Sequence, residues 1–80
     1  MDDSQLLQTI EKLVNEEHEL LKQAEEGDLD DTKQTRMSEI EVKLDQCWDL
    51  LRQRRARREF GLNPDEAKLR NPETVEHYQQ

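Results

Sequence analysis

The sequence predicts an all-α protein built around an antiparallel pair of long helices. Three observations predict this fold. Apolar residues recur every three or four positions, glycine separates the two periodic stretches, and the two glycines and two prolines all lie at segment boundaries. Only 31% of the residues are apolar and 40% are charged, so it is the periodicity that argues against disorder. The 80 residues are enough for one domain, residues 1–80.

The first helix is predicted over about residues 3–26. Asp2, Asp3 or Ser4 can cap its start, and Gly27 follows as a stop signal. Glu17 and His18 interrupt an otherwise continuous apolar stripe. The stripe is suited to packing against other helices, and it consists of Leu6, Leu7, Ile10, Leu13, Val14, Leu20, Leu21 and Ala24.

The second helix is predicted over about residues 31–60, with Asp30 as its N-cap and Gly61 as its stop. Its apolar seam has alternating three- and four-residue steps, and Trp48 flanks it. The next two seam positions are Arg54 and Arg58, so we expect the apolar seam to end near Leu51 while the helix continues. The seam residues are Met37, Ile40, Leu44, Cys47 and Leu51.

The C-terminal segment contains two Asn-Pro-acid sequences, which begin at Asn63 and Asn71. Each offers an N-cap, a proline in the first turn and an acidic residue after it. The segment therefore predicts two short helices, about residues 64–69 and 72–78. The alternative is a partly frayed tail.

A connection of about three residues forces the long helices to run antiparallel. Residues whose numbers sum to about 57 should then face each other. Two helices cannot fully bury such wide stripes on each other, so we expect a homodimer that forms a four-helix bundle. Its predicted interface is Leu13, Ile40, Leu44, Cys47, Trp48 and Leu51. If Trp48 is exposed instead, it becomes a candidate contact for an unidentified protein partner.

Five arginines lie within seven residues and form the only concentrated positive charge in an acidic chain of net charge −8. One interpretation is structural, because cations suit a helix C-terminus and Asp2, Asp3 and Glu11 should lie nearby. The other is a binding patch for phosphate, nucleic acid or an acidic protein surface. The candidate anion- or partner-binding residues are Arg52, Arg54, Arg55, Arg57 and Arg58.

The sequence contains no phosphate-binding glycine loop and no recognisable catalytic set, so we predict a non-enzymatic interaction module without cofactor or metal. Cys47 occupies a seam position and is expected to be a small apolar core residue rather than a reactive thiol. Glu17, His18 and Glu39 could approach one another, which is more typical of a polar break that fixes register than of a metal site. An enzyme would need a polar pocket there.

The alternative function is a nucleic-acid-associated protein that contacts phosphates through residues 52–58. The overall acidity disfavours both this role and binding to anionic membranes. We expect a cytoplasmic protein, because residues 1–5 carry acids where a signal peptide carries bases and no apolar run could span a bilayer. A single cysteine fits a reducing compartment.

Residues 41–56, EVKLDQCWDLLRQRRA, resemble a family of small actinobacterial proteins that is catalogued only as a domain of unknown function. The similarity extends from residues 15–18 through Gly61, residues 64–67, Arg70 and residues 75–76 to Tyr78. The resemblance implies a compact, stand-alone helical protein from an actinobacterium. It implies no activity, substrate or catalytic residue.

Overall fold

The computed structural model describes residues 2–73. Helix α1 comprises Asp3–Glu25, helix α2 comprises Asp31–Glu59, and a 3₁₀ helix comprises Pro64–Glu66. The two long helices pack against each other as a hairpin, and residues 2–73 contain no strand. The predicted all-α helical hairpin is confirmed, and the predicted ends of the two long helices differ from the observed ends by one residue or less.

Local side-chain hydrogen bonds fix the start of each long helix. The Oδ1 atom of Asp2 accepts from the backbone N–H of Gln5 at 2.8 Å, while the Gln5 side chain accepts from the Asp2 N–H at 3.0 Å. This reciprocal pair is a capping box. Asp30 caps α2 with a single bond of the first kind, since its side chain accepts from the N–H of Lys33 at 2.9 Å. Both caps satisfy N–H groups that have no partner within the helix.

Glycine ends both long helices in the same geometry. Gly27 has φ of +80° and Gly61 has φ of +71°, a backbone conformation that side chains with a Cβ rarely adopt. After each glycine the next N–H bonds back to the last turn, from Asp28 to the Gln23 carbonyl at 2.8 Å and from Leu62 to the Arg57 carbonyl at 2.7 Å. These Schellman motifs end the helices sharply and reverse the chain.

The core runs along the seam between α1 and α2. Ile40 is completely buried, and full burial of such a side chain contributes about 1.5–3 kcal/mol. Most of the predicted interface residues lie in this core, within one chain, and only Trp48 among them is exposed. The buried apolar residues are Leu6, Ile10, Leu13, Leu20, Ile40, Leu44, Cys47, Leu50 and Leu51.

The segment after α2 differs from the prediction. The expected helix over residues 64–69 is only the 3₁₀ helix Pro64–Glu66, and residues 67–71 are not helical. The reason is that their backbone carbonyls bond to α2, where Lys68 and Arg70 accept from the side chains of Gln53 and Gln46. Residues 74–80, which include most of the predicted helix 72–78, lie outside the described residues.

Candidate functional site: the arginine end and the open face

Arg54 is the central residue of the arginine end, which we define as Arg52, Arg54, Arg55, Arg57 and Arg58. Its side chain is buried, with 6% of the residue exposed. The Nε of Arg54 donates to Oδ1 of Asp3 at 2.5 Å, and Nη1 donates to Oδ1 of Asp65 at 3.0 Å and to the Pro64 carbonyl at 3.2 Å. Arg54 therefore joins the start of α1, the end of α2 and the C-terminal segment.

Two neighbouring arginines are also held by acids of the same chain. Arg58 donates to the second carboxylate oxygen of Asp3. Arg57 lies 3.4 Å from the Glu66 carboxylate. Hydrogen bonds from Arg54 and then Arg58 lower the pKa of the Asp3 carboxyl, so Asp3 stays ionised between two guanidinium groups.

Arg52 and Arg55 differ from these three. Both are exposed, and within residues 2–73 neither forms an ion pair. Arg52 lines a small pocket of about 170 Å³ together with Asp49, Gln53, Ala56 and Arg70. The described part of the chain thus neutralises three arginines of the cluster and leaves two directed to solvent.

Asp49 is a buried acid that the sequence analysis did not single out. It is only 2% exposed, and its Oδ2 accepts from Nε2 of Gln53 at 2.9 Å and lies 3.2 Å from Nε of Arg70. The same Gln53 amide donates to the Lys68 carbonyl at 2.8 Å, and Gln46 donates to the Arg70 carbonyl at 3.1 Å. These bonds hold the C-terminal segment along α2.

Glu16 and Arg36 form the main ion pair between α1 and α2 near the turn. Two nitrogens of Arg36 donate to the two Glu16 oxygens at 2.5 and 2.7 Å, and a third contact reaches Glu39 at 3.3 Å. The hydrogen bond from Arg36 lowers the pKa of Glu16. Glu39, which the sequence placed near Glu17 and His18, therefore bonds to Arg36. Within residues 2–73, no group of three or more His, Cys, Asp or Glu residues could hold a metal ion.

The C-terminal segment covers one side of the hairpin, and the opposite side remains exposed. Glu16 and Arg36 each come immediately before a seam position, so their ion pair marks one side of the hairpin. The C-terminal segment covers α2 on that same side, bonded to Gln53 and Arg57.

Four apolar residues come immediately after a seam position, not before it. They are Leu7, Val14, Leu21 and Trp48, which follow seam positions 6, 13, 20 and 47. In an antiparallel helix pair, such positions line the opposite side. We call these four residues the open face. Leu7 and Leu21 are 44% exposed and Trp48 is 41% exposed, whereas Val14 is half-buried.

Cys47 lies in the core and directly precedes Trp48 in the sequence. It is a free thiol, and burial raises its pKa. A raised pKa leaves less thiolate at neutral pH, which is opposite to the environment of a nucleophilic cysteine.

With this geometry established, comparison with known proteins places the chain. The family described as "Protein of unknown function (DUF2630)" matches residues 2–80. The chain belongs to this family. The resemblance seen in the sequence is thereby confirmed. Asp49, Gln53 and Arg54, which bind the C-terminal segment, lie within residues 41–56, where that resemblance was seen.

Two relatives of this DUF2630 protein come from mycobacteria. They are the "Uncharacterized protein Rv0898c" of Mycobacterium tuberculosis and the "Uncharacterized protein Mb0922c" of Mycobacterium bovis. Each is 47% identical over 77 residues, which cover 95% of this chain and 88% of the relative. No solved structure matches the chain. Within the part of the chain that the structure describes, no helix is long and apolar enough to cross a membrane.

Proposed function

We propose that this protein is a non-enzymatic interaction module that self-associates through its open face. The observation that carries the proposal is the unequal treatment of the two sides of the hairpin. The chain covers one side with its own C-terminal segment, yet leaves Leu7, Leu21 and Trp48 exposed on the other. Burial of such apolar side chains against a second hairpin would complete a four-helix bundle.

The burial of the core within one chain favours a dimer of two folded hairpins that meet at their surfaces over a dimer in which the two chains share one core. Ile40, Leu44 and Leu51 are already buried within one chain, so a monomer can fold without a partner. What remains for a partner is a row of exposed apolar residues with Trp48 in it. Tryptophan is one of the residue types enriched among those that dominate binding energy. The single buried cysteine fits a protein of the reducing cytoplasm.

Sedimentation equilibrium from low to high micromolar protein tests the proposal. We expect a dimer for the native chain and a large shift toward monomer for Trp48→Ala. Phe60→Ala is the matched control, because Phe60 is also an exposed aromatic, at 80%, but lies at the end of α2 outside the open face. A native chain that stays monomeric throughout this range would refute self-association. Equal effects of the two substitutions on a dimeric native chain would refute the open face as its interface.

The second candidate function is association with nucleic acid through the arginine end. The exposure of Arg52 and Arg55 favours it, and the internal pairing of Arg54, Arg57 and Arg58 weakens it. Affinity for phosphates depends on the number of free cations and falls steeply with salt. A gel shift of labelled DNA or RNA that appears at low salt, and disappears in Arg52→Gln/Arg55→Gln, would favour this function. No shift for the native chain would end it.

A further inference from the structure

The charges beside the open face are arranged symmetrically about Trp48. Glu41 lies seven residues before Trp48 and Arg55 lies seven residues after it, so all three share one side of α2. Asp45 and Arg52 flank Trp48 in the same order, acid before and base after. All four charged side chains are exposed.

In residues 2–73, Glu41, Asp45, Arg52 and Arg55 form no ion pair, although Arg54, Arg57 and Arg58 beside them do. A row of two acids and two bases around an exposed tryptophan is complementary to a copy of itself that runs in the opposite direction. That is the requirement for a two-fold symmetric interface, in which residue i meets residue j and j meets i.

We propose that two copies of this chain pair with their α2 helices antiparallel and crossing at Trp48. Glu41 of each copy then faces Arg55 of the other, and Asp45 faces Arg52. The inference rests on the proposed self-association and supplies its geometry. The partner is a second copy because the charge pattern is self-complementary.

The position of α1 is consistent with this arrangement. The ion pairs of Asp3 with Arg54 and of Glu16 with Arg36 join residues whose numbers sum to 57 and 52. The numbers of Leu7 and Trp48 sum to 55, so these two residues lie almost level. An axis through Trp48 therefore brings Leu7 and Trp48 of each copy to the centre and places the charged pairs around them, whereas Leu21, nearer the turn, lies outside the overlap of the two copies. Charged pairs at the rim of an interface select orientation more than they add affinity.

The opposite orientation, with both turns at the same end, is less favourable. It would lay α2 of one copy over α1 of the other. By the same register, Asp45 would then lie level with Glu11 and Lys12, which are both exposed. Glu11 follows a seam position and lies on the side of the open face, whereas Lys12 precedes one and lies on the other side, so Asp45 would meet an acid. Like charges across an interface oppose association, so the pattern selects the antiparallel form.

Charge reversal tests the orientation. Glu41→Arg and Arg55→Glu each create two like-charge contacts per dimer, and each should weaken dimerisation roughly tenfold at low salt. The double variant Glu41→Arg/Arg55→Glu restores the pairs in swapped form and should regain the native affinity. Glu19→Arg is the control, because Glu19 is exposed on α1 away from the open face and should have no effect. A double variant weaker than both single variants contradicts the proposed contact.

Cysteine cross-linking gives an independent test in a Cys47→Ala background whose helicity is first checked by circular dichroism. A mixture of Glu41→Cys and Arg55→Cys chains should form a disulfide between the two variants. Neither variant alone should cross-link with itself, because equal positions lie about 21 Å apart along antiparallel helices, beyond the reach of a disulfide.

The outcomes separate the two proposals. A monomeric native chain overturns both self-association and the antiparallel geometry. A dimer that tolerates the charge reversals, or whose Glu41→Cys variant cross-links with itself, leaves self-association standing and overturns the antiparallel geometry alone. A dimer with the expected charge and cross-linking pattern supports both.

Discussion

Arg54 and Asp3 lie 51 positions apart in the sequence, and their side chains form a 2.5 Å ion pair. The pair joins the start of α1 to the last turns of α2, at the end of the hairpin away from the turn. Arg54 occupies the seam position that follows Leu51, so a guanidinium group continues the core where the sequence pattern lacks an apolar residue. The Asp3 carboxylate also binds Arg58, and Asp65 of the C-terminal segment also binds Arg54. The arginine end is therefore in part a structural junction.

Removal of the buried guanidinium should destabilise the protein more than removal of its exposed neighbour. We expect Arg54→Gln to lower the urea midpoint of unfolding clearly, because Asp3 and Asp65 both lose their shared partner. Arg55→Gln should lower the midpoint much less, because Arg55 is exposed and has no ion pair within residues 2–73, so that only its proposed contact with a second copy is lost. Urea titrations followed by circular dichroism make the comparison. Equal midpoints for the two variants would contradict the structural role of Arg54.

Stability should decrease in acid because two carboxyl groups have lowered pKa values in the folded protein. The ordinary values are 3.8 for Asp3 and 4.5 for Glu16, and hydrogen bonds from Arg54 and Arg36 lower them. A group with a lowered folded-state pKa stabilises the protein fully above its unfolded value, and this contribution is lost as the pH falls through the folded value. We therefore expect the melting temperature to decrease once the pH is lowered beyond about 4.5. The double variant Asp3→Asn/Glu16→Gln should melt at a lower temperature at pH 7 and depend less on pH.

The boundaries of the long helices could be predicted because local signals determine them. Asp30 caps α2 through a bond to a backbone N–H three residues away, and Gly27 and Gly61 supply the positive φ that ends each helix. The facing register followed from the short turn alone, and the pair of Asp3 with Arg54 fits it. These features depend on residues close together in the chain or on simple helix geometry.

The packing of the C-terminal segment could not be predicted in the same way. The Asn-Pro-acid sequence at Asn63 suggested a helix to residue 69, but the carbonyls of Lys68 and Arg70 bond to Gln53 and Gln46 instead. These contacts join residues 15 and 24 positions apart, and no local pattern encodes them. The burial of Asp49 was missed for the same reason, since its partner Arg70 comes from that segment.

Loss of the Asp49 carboxylate should release the C-terminal segment. Asp49→Ala removes the acceptor shared by Gln53 and Arg70, and we expect a loss of about 1–3 kcal/mol in the free energy of unfolding. Trypsin should then cleave after Lys68 and Arg70 faster than in the native chain. The control is Glu19→Ala, which removes an exposed acid of α1 that lies away from the open face. Unchanged cleavage in Asp49→Ala would show that this carboxylate does not hold the segment.

Cys47 should react slowly with thiol reagents while the protein is folded. Its side chain is buried beside Leu44 and Leu51, and burial raises its pKa, so both access and the thiolate fraction are reduced. We expect the rate of modification by a disulfide reagent at pH 8 to be at least tenfold lower than in urea, a factor that corresponds to about 1.4 kcal/mol. A folded-state rate equal to the unfolded rate would contradict burial of the thiol. Trp48, which belongs to the open face, follows Cys47 in the sequence. The modification rate measured at rising protein concentration therefore also tests whether self-association protects the thiol further.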